Sequence, residues 1–221
     1  MTLVLVHGVP ETSAIWQPVL DELGSDDVVT LSPPGFGAPV PDGFDPSSDA
    51  YRDWLVAELV QFDAPVDLLG HDWGGGHVVR AATARPDLIR RVATDIGGCL
   101  HPDYVWHDMA QVWQTPGEGE AVVEAMSAMP TADRVAGLVA AGMTERAAEA
   151  CVEAGGADMS RCILGLYRSA VQPNMGTWGR EFADRADRPD AFVVIPHDDT
   201  YTGGPDLARS TAERMGATPI E

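Results

Sequence analysis

Short apolar runs alternate with segments of helical spacing along most of this chain, and that alternation limits the folds open to it. Continuous apolar runs at residues 3–6, 28–31, 66–70, 92–96 and 191–195 predict strands buried on both faces of a sheet, and residues 218–220 open one more strand. Apolar residues at helical spacing predict helices at 14–23, 49–62, 74–84 and 207–215. Strands that alternate with helices in this way predict an α/β fold with a mostly parallel, doubly wound sheet.

The stretch at residues 97–179 departs from this alternation. It lacks strand-like runs, and it is rich in Ala, Met, Glu and Trp at helical spacing. We therefore predict a helical cap at 97–179, inserted into an α/β core formed by residues 1–96 and 180–221. A single core of this kind suits a chain of 221 residues.

The charge and the cysteine content limit the partners of the chain. Fourteen basic residues against thirty-four acidic ones give a formal net charge of -20, so we expect neither a nucleic acid nor an anionic membrane as a partner. Three cysteines at irregular spacing form neither a disulfide framework nor a metal-binding doublet. No apolar run approaches the length of a membrane span. These features predict a cytoplasmic protein without a metal or a cofactor.

The sequence Gly-His-Asp-Trp-Gly-Gly at 70–75 lies between a predicted strand and a predicted helix. Glycines in this pattern permit the tight turn of a nucleophile elbow, which lifts the central side chain above the end of the sheet. The central residue is Asp72, where the pattern usually has Ser. Backbone N–H groups at the start of the helix favour its ionised form. We predict that Asp72 is a catalytic nucleophile, and the alternative is an ordinary N-capping aspartate.

With this Asp-containing elbow, the sequence resembles the branch of the α/β-hydrolase superfamily that contains epoxide hydrolases and haloalkane dehalogenases. Two further motifs carry the resemblance, which covers nearly the whole chain: His-Gly-Val-Pro at 7–10 and Pro-Gly-Phe-Gly at 34–37. It implies an oxyanion hole formed by the backbone N–H groups of Val9 and Trp73, and a cis Val9–Pro10 peptide, with a trans loop as the alternative. It also implies that the carboxylate attacks an sp³ carbon and forms an alkyl-enzyme ester, which water later cleaves.

Opening an epoxide requires a hydrogen-bond donor for the departing oxygen. Leu-Tyr-Arg at 166–168 resembles the second cap tyrosine motif of epoxide hydrolases, which implies that Tyr167 stabilises the alkoxide, and a packing aromatic is the alternative. Residues 112–117 resemble the segment after the first cap tyrosine, and counting back places that tyrosine at Met109, with Tyr104 as the nearest substitute. The expected pocket for a small apolar substrate is lined by Tyr104, Trp106, Met109 and Trp113.

A haloalkane dehalogenase is an alternative, because indole N–H groups hold a departing halide by the same dipolar attraction. Dehalogenases of this branch usually carry Asn or Glu at the position of Val9, or a second Trp in the cap, and the Val9 side chain has no donor. Trp73 would supply one indole N–H, and Trp106 or Trp113 would supply another.

The strand at 191–195 is followed by acidic residues where this family has the acid of its catalytic triad. Its register favours Asp199 over Asp198, with an acidic turn as the alternative. The family's general base is a histidine just after the last strand, and no histidine follows His197 in this sequence. We therefore expect either a C-terminally truncated chain or a member without the base. Asp72 would still form the ester, and hydrolysis of that ester would be slow.

A non-catalytic binding protein with an α/β-hydrolase fold is the third alternative, since the missing base and the residue at Met109 both favour it. A missing end of the sheet would also expose apolar surface, which favours self-association into a homo-oligomer. The fold alone does not choose among these functions.

Overall fold

A computed structural model describes residues 2–221, which contain one sheet of six parallel strands. The strands are β1 (Leu3–Val6), β2 (Val28–Leu31), β3 (Val66–Gly70), β4 (Ile89–Thr94), β5 (Asp190–Val194) and β6 (Thr218–Ile220). Their order across the sheet is β2-β1-β3-β4-β5-β6. The mostly parallel α/β sheet that the sequence predicts is confirmed.

The fourth strand differs from its predicted range. Residues 92–96 were expected to form it, whereas β4 begins at Ile89 and ends at Thr94. The apolar pattern does not predict the start of this strand, because a charged residue such as Arg90 does not fit a run that is buried on both faces. In the structure its guanidinium pairs with Asp67 on the neighbouring β3, which accounts for a charged side chain at the edge of the core.

In the described part of the chain, residues 2–221, ten α-helices surround or cap the sheet. They are α1 (Gln17–Leu23), α2 (Ser48–Leu59), α3 (Trp73–Ala84), α4 (Asp108–Gln114), α5 (Glu118–Ala128), α6 (Thr131–Ala140), α7 (Glu145–Ala154), α8 (Ala157–Ser169), α9 (Asn174–Ala183) and α10 (Pro205–Met215). Capping hydroxyls explain two of the starts: Ser47 Oγ accepts from the Ala50 N–H before α2, and Thr144 Oγ1 accepts from the Ala147 N–H before α7. Among residues 2–221, no helix combines the length and the apolar character needed to cross a membrane.

Helices α4 to α8 all lie in the segment predicted to be a helical insertion, and we call them the cap. Helix α9 behaves differently, because it packs against α3 and α10 beside the sheet. Trp178 and Phe182 are buried on its inner side, and the Trp178 ring lies 4.7 Å from the Arg80 guanidinium of α3. The boundary expected at residue 179 therefore falls inside a helix that packs with the core.

The strand order determines where a ligand site forms. The chain leaves β1 for β2 on one side and then returns to β3 on the other side of β1. In open α/β sheets, ligands bind at such a reversal, outside the carboxyl ends of the strands. Val6 and Gly70, the last residues of β1 and β3, are paired in register. The loops that begin at His7 and His71 therefore start side by side.

Close backbone contacts explain the glycines of the elbow. A Cβ added to Gly74 would lie 2.1 Å from the carbonyl oxygen of Val6, and one added to Gly70 would lie 2.3 Å from the carbonyl oxygen of Gly74. These obstacles are backbone atoms, which cannot rotate away as a side chain does. Glycine at both positions is what allows α3 to approach the ends of β1 and β3.

We predict that Gly74→Ala lowers the free energy of unfolding by about 1–3 kcal/mol, because the added methyl group forces α3 away from the sheet. The matched control is Gly137→Ala in α6, where an added Cβ meets no atom within 4 Å. That variant should gain roughly 0.5–1 kcal/mol from the better helix propensity of alanine. Urea unfolding measures both changes, and equal effects of the two substitutions would contradict the packing argument.

Candidate active site

Asp72 occupies a strained turn between β3 and α3. Its φ is 51° and its ψ is -129°, and among residues 2–221 it is the only non-glycine residue with a positive φ. It precedes the first residue of α3 but makes no side-chain hydrogen bond that caps the helix. The geometry is that of a nucleophile elbow rather than of an ordinary N-capping aspartate.

The Asp72 carboxylate already meets two backbone donors. The Val9 N–H donates to Asp72 Oδ1 at 2.8 Å, and the Trp73 N–H also hydrogen-bonds the carboxylate. Gly8 permits this approach, because a Cβ there would lie 2.1 Å from Asp72 Oδ1. The Val9–Pro10 peptide is cis. These two N–H groups lie where donors are needed if an oxyanion develops on this carboxyl group.

His71 lies between the carboxylates of Glu11 and Asp95, which hold the two loops that meet at Asp72. His71 Nε2 lies 3.2 Å from Glu11 Oε1, and His71 Nδ1 hydrogen-bonds Asp95 Oδ2. The other oxygen of Glu11 accepts from the Gly8 N–H at 2.8 Å, and the other oxygen of Asp95 accepts from the Asp72 N–H at 3.0 Å. The three side chains therefore hold the backbone of both loops that meet at Asp72.

The protonation states of His71 and Asp72 follow from their contacts. Burial disfavours the imidazolium of His71, but the hydrogen bonds to Asp95 and Glu11 outweigh burial and raise its pKa. Burial and the negative charge of Glu11 raise the pKa of Asp72, while His71 and the two backbone donors oppose that rise. Asp72 is therefore a carboxyl group whose charge is poorly solvated, which makes its ionised form more reactive.

A small cavity of about 20 Å³ lies beside Asp72, between the core and the cap. Its lining residues come from the turn before α3, the start of α3, the cap, α9 and the loops after β4 and β5: Asp72, Trp73, Ile96, Cys99, Tyr104, Trp106, His107, Tyr167, Met175, Tyr201 and Thr202. A space of this size holds little more than one water molecule or one small reacting group.

Tyr167 presents a hydroxyl group to this cavity from α8. Its side chain is buried, and its ring lies edge-on to the Trp73 ring with 5.0 Å between centroids. Trp73 lowers the pKa of the Tyr167 hydroxyl, and an indole N–H can only donate, so this neighbour leaves the phenolic O–H free to donate to a ligand. Burial and the nearby Asp72 raise the pKa of Tyr167, so it remains a neutral phenol. Tyr104 also lines the cavity, but its O–H donates to the Tyr201 carbonyl oxygen at 2.6 Å.

His107 is a cavity residue that sequence reasoning missed. Its Nδ1 accepts from the Ala110 N–H at 3.2 Å, so the neutral ring carries its proton on Nε2. Burial lowers the pKa of His107, with Asp199 and Asp108 opposing the change, so the ring is neutral near pH 7. Its ring centroid lies 6.4 Å from that of Tyr167. A histidine immediately before a helix, at an N-cap position, was the available sequence signal.

The structure brings some of the other predicted pocket residues to Asp72 and not others. Trp106 lines the small cavity, and its indole N–H has no hydrogen-bond acceptor among residues 2–221. Met109 lies outside the cavity with a relative exposure of 41%, because α4 buries Ala110 and Trp113 on its inner face. The expectation that Met109 lines the pocket is therefore wrong. Trp113 is buried, but it lines a larger cavity on the cap side of Tyr167.

The predicted triad acid lies in the loop after β5. Asp199 Oδ1 accepts from the Tyr201 N–H at 2.6 Å, and its charge acts on His107. Asp198 is exposed. Within residues 2–221, no cluster of three or more His, Cys, Asp or Glu side chains is arranged to hold a metal ion.

Comparison with known sequences places the chain in a broad group. Residues 3–220 match the sequence model of the alpha/beta hydrolase family. A 93-residue segment is 30% identical to (E)-2-((N-methylformamido)methylene)succinate hydrolase of Acinetobacter baylyi, and it covers 41% of this chain and 35% of that enzyme. A similar segment is 30% identical to an AB hydrolase superfamily protein of Bacillus subtilis, of which it covers 33%. The matched segment thus spans about a third of the length of these curated relatives.

Solved structures with the same fold cover nearly the whole chain. A haloalkane dehalogenase loop variant from Bradyrhizobium elkanii has a TM-score of 0.70 at 17% identity, over 99% of this chain and 80% of that one. A Pseudomonas aeruginosa protein provisionally named an epoxide hydrolase has a TM-score of 0.72 at 20% identity, over 99% and 79%. A deformylase from Pseudomonas putida S16 has a TM-score of 0.72 at 17% identity, over 99% and 82%. Since their named reactions differ, the shared fold does not select a reaction.

We predict that Asp72→Asn raises the melting temperature at pH 8 and has a smaller effect at pH 4. A carboxyl group whose pKa is raised on folding destabilises the folded state as the pH rises from its unfolded value, about 4, through the folded value. Asparagine removes that penalty and tolerates the positive φ. A gain on the order of 1 kcal/mol corresponds to about 2–4 °C in a chain of this size.

Thermal unfolding followed by circular dichroism at the two pH values measures this difference. The control is Asp42→Asn in an exposed loop, which should give the same small change at both pH values. A stabilisation by Asp72→Asn that does not depend on pH would contradict the proposed origin in the carboxylate charge.

Proposed function

Because this chain belongs to the alpha/beta hydrolase family, we propose that it is a hydrolase that opens an apolar epoxide through an alkyl-enzyme ester on Asp72. The observation that carries the proposal is a carboxylate at the elbow, with the Val9 N–H at 2.8 Å from its Oδ1 and the Tyr167 side chain lining the same small cavity. Attack by a carboxylate on an ester would give an anhydride, whereas attack on an sp³ carbon gives an ordinary ester.

The first step follows from the donors around the cavity. An oxygen of the Asp72 carboxylate forms a bond to one epoxide carbon, and the bond between that carbon and the ring oxygen breaks. The departing oxygen takes the proton of the Tyr167 O–H, and solvent later returns a proton to the phenolate. The His107 Nε2–H is a second donor lining the cavity, and it would stabilise the same oxygen. His107 thus supplies a donor in the cap, where the expected first tyrosine is absent.

The second step is hydrolysis of the ester, in which Val9 and Trp73 would stabilise the oxyanion on the Asp72 carboxyl group. Among residues 2–221, no histidine hydrogen-bonds to Asp72 or Asp199. The Nδ1 of His107 is occupied by the Ala110 N–H, so this ring is poorly placed to accept a proton from water. These residues therefore support formation of the ester better than its hydrolysis, and we expect the ester to persist.

Haloalkane dehalogenation is the second candidate, and the unpartnered indole N–H of Trp106 favours it. The Trp106 ring stacks on the Trp73 ring at 5.8 Å, so both indoles lie at the cavity where a halide would leave. The Tyr167 side chain lines the same cavity, however, and a phenolic O–H can donate a proton, which suits a departing alkoxide better than a halide. A purely binding protein would need an unreactive Asp72.

We predict that a small aryl or alkyl epoxide adds its mass once to this chain, and that the adduct maps to Asp72 and survives for hours. Asp72→Asn should stay unmodified because the amide is not a nucleophile. Tyr167→Phe should react about 100-fold more slowly because the departing oxygen loses its proton donor. Intact-mass spectrometry followed by peptide mapping measures all three results.

The same measurement separates the candidate functions. An adduct from a bromoalkane but not from any epoxide would support haloalkane dehalogenation in place of epoxide opening as the function. If the protein is folded and no compound modifies it, the non-catalytic binding role is the remaining candidate. The control is Met109→Leu, an exposed change outside the cavity, which should not change the rate of alkylation.

We also predict that the rate of Asp72 alkylation rises with pH, with a midpoint well above the value of about 4 for an ordinary aspartate. The carboxylate is the reactive form, so the rate increases as the proton with the raised pKa is lost. Glu11→Gln should shift the midpoint to lower pH, because it removes a negative charge that raises the pKa of Asp72. Glu213→Gln, an exposed change on α10, should leave the midpoint unchanged. The measurement is the alkylation rate by mass spectrometry across the pH range, and a midpoint that Glu11→Gln does not move would contradict the argument.

A further inference from the structure

Tyr167, the proton donor of the proposed reaction, lies in the last turn of α8, which ends at Ser169. Helix ends fray, because their last carbonyl groups have no partner within the helix. A proton donor acts only when it is held close to the atom that takes the proton. The position of the Tyr167 hydroxyl therefore depends on the contacts that this end of α8 makes with neighbouring helices.

Arg168, the next residue of α8, binds the place where α4 ends and α5 begins. Its Nε donates to the Trp113 carbonyl oxygen near the end of α4 at 3.2 Å. Its Nη1 and Nη2 donate to the two carboxylate oxygens of Glu120, near the start of α5, at 2.8 Å and 2.7 Å. One guanidinium thus ties α8 to both helices, and we call Trp113, Glu120 and Arg168 the cap junction.

The cap junction has more support than an ordinary surface ion pair. An isolated exposed pair contributes little, whereas a bidentate pair with further hydrogen bonds fixes both side chains. Glu120 Oε2 also accepts from the Gly117 N–H at 2.8 Å. The hydrogen bonds from Arg168 lower the pKa of Glu120 to about 2, so this carboxylate is charged at neutral pH. A Cβ added to Gly119 would lie 2.8 Å from the Trp113 carbonyl oxygen, so glycine allows α5 to begin this close to α4.

The end of α4 connects the cap junction to Tyr167. The Trp113 ring lies 4.8 Å from the Tyr167 ring. The Gln114 side chain donates from Nε2 to the Tyr167 carbonyl oxygen at 3.4 Å. The end of α4 therefore contacts both the ring and the backbone of Tyr167, and the Arg168 guanidinium holds that end against α8. A shift of α4 relative to α8 would move the Tyr167 hydroxyl relative to Asp72.

We propose that Arg168 and Glu120 are positioning residues, which hold Tyr167 where its hydroxyl can give a proton to the departing epoxide oxygen. This inference rests on the proposed function and adds two residues to the group that carries it out. Neither residue lines the small cavity beside Asp72, so both act through Tyr167 rather than on the substrate. Since a misplacement of about 1 Å can slow a reaction roughly 100-fold, we expect the loss of this support to cost on the order of tenfold.

The test is a double-mutant cycle on the rate constant for Asp72 alkylation by a small epoxide. Arg168→Met removes the guanidinium but keeps an unbranched stem, and it should slow alkylation about tenfold. In the Tyr167→Phe background the same substitution should change the rate by less than about twofold, because no hydroxyl is left to be positioned. Equal slowing in the two backgrounds would indicate a general effect on the cap and would overturn the inference.

Glu120→Gln is the second variant, and it tests the inference even if Arg168→Met does not fold. Glutamine still accepts from the Gly117 N–H in the capping box but offers no charge to Arg168. Alkylation should therefore slow roughly threefold, and this slowing should also disappear in the Tyr167→Phe background. A rate that Glu120→Gln leaves unchanged would contradict the inference.

The matched control is Arg85→Met at the far end of α3. It removes an exposed arginine that is bound through two hydrogen bonds to Asp87, as Arg168 is bound to Glu120. Because this pair has no contact with the cap, the alkylation rate should not change.

Nuclear magnetic resonance of isotope-labelled tyrosine rings tests the positioning without any reaction. The chain has four tyrosines, and Tyr167→Phe identifies the signal of Tyr167. Arg168→Met should shift or broaden that signal, because the indole rings packed around Tyr167 displace its resonance, and it should leave the signal of Tyr51 unchanged. A Tyr167 signal that does not move would overturn the inference. If no epoxide alkylates Asp72, the proposed function fails, and this signal still decides whether the cap junction holds Tyr167.

Discussion

The close contact of α3 with the carboxyl ends of β1 and β3 is the constraint on which the candidate site depends. Gly70 and Gly74 have no side chains, so the helix starts directly above the two strands. That position holds Asp72 at its positive φ and directs its carboxylate toward the Val9 N–H. A residue in such a strained conformation persists only when the surrounding structure holds it. Here it is held by the close packing of α3 on the ends of β1 and β3, which Gly70 and Gly74 permit.

The charges around Asp72 then set the pKa of its carboxyl group. Glu11 and Asp95 bind opposite nitrogens of His71, and each also binds a backbone N–H in one of the two loops at the site. The arrangement therefore acts on Asp72 in two ways. It holds the geometry of the loops, and the charge of Glu11, which raises the pKa of Asp72, is opposed by the charge of His71, which lowers it. A cation alone would leave Asp72 fully ionised and weakly basic, whereas an acid alone would keep it protonated.

The elements that the sequence predicted are those that depend on local patterns. The strands appear as short apolar runs, and the elbow is recognisable because its glycines and its place between a strand and a helix lie within six residues. Glu11 and Asp95 were not identified, because they come together only through the order of β1, β3 and β4 in the sheet. Met109 and His107 show the same limit in the cap: which of them faces Asp72 depends on where α4 begins and which face it buries.

Helix α9 is a further case. Its helical spacing is visible in the sequence, but spacing does not reveal whether a helix packs on the cap or on the core. Contacts with α3 and α10, far away in the chain, assign it to the core. The proposed reaction, its substrate and its donors depend on side chains that meet only in three dimensions, which explains why the motifs locate Asp72 at its turn but not the residues of the cavity around it.

The hydrogen bond from Tyr104 to the Tyr201 carbonyl oxygen ties the start of the cap segment to a core loop, and the Ser48 N–H bonded to Ser169 Oγ ties its end to α2. Between these two anchors the cap is a continuous stretch of five helices, and its Tyr167 lines the small cavity beside Asp72. A ligand larger than this small cavity needs the stretch between the two anchors to move before it reaches Asp72. For such a ligand, motion of the cap would be a separate step in binding, with a rate of its own.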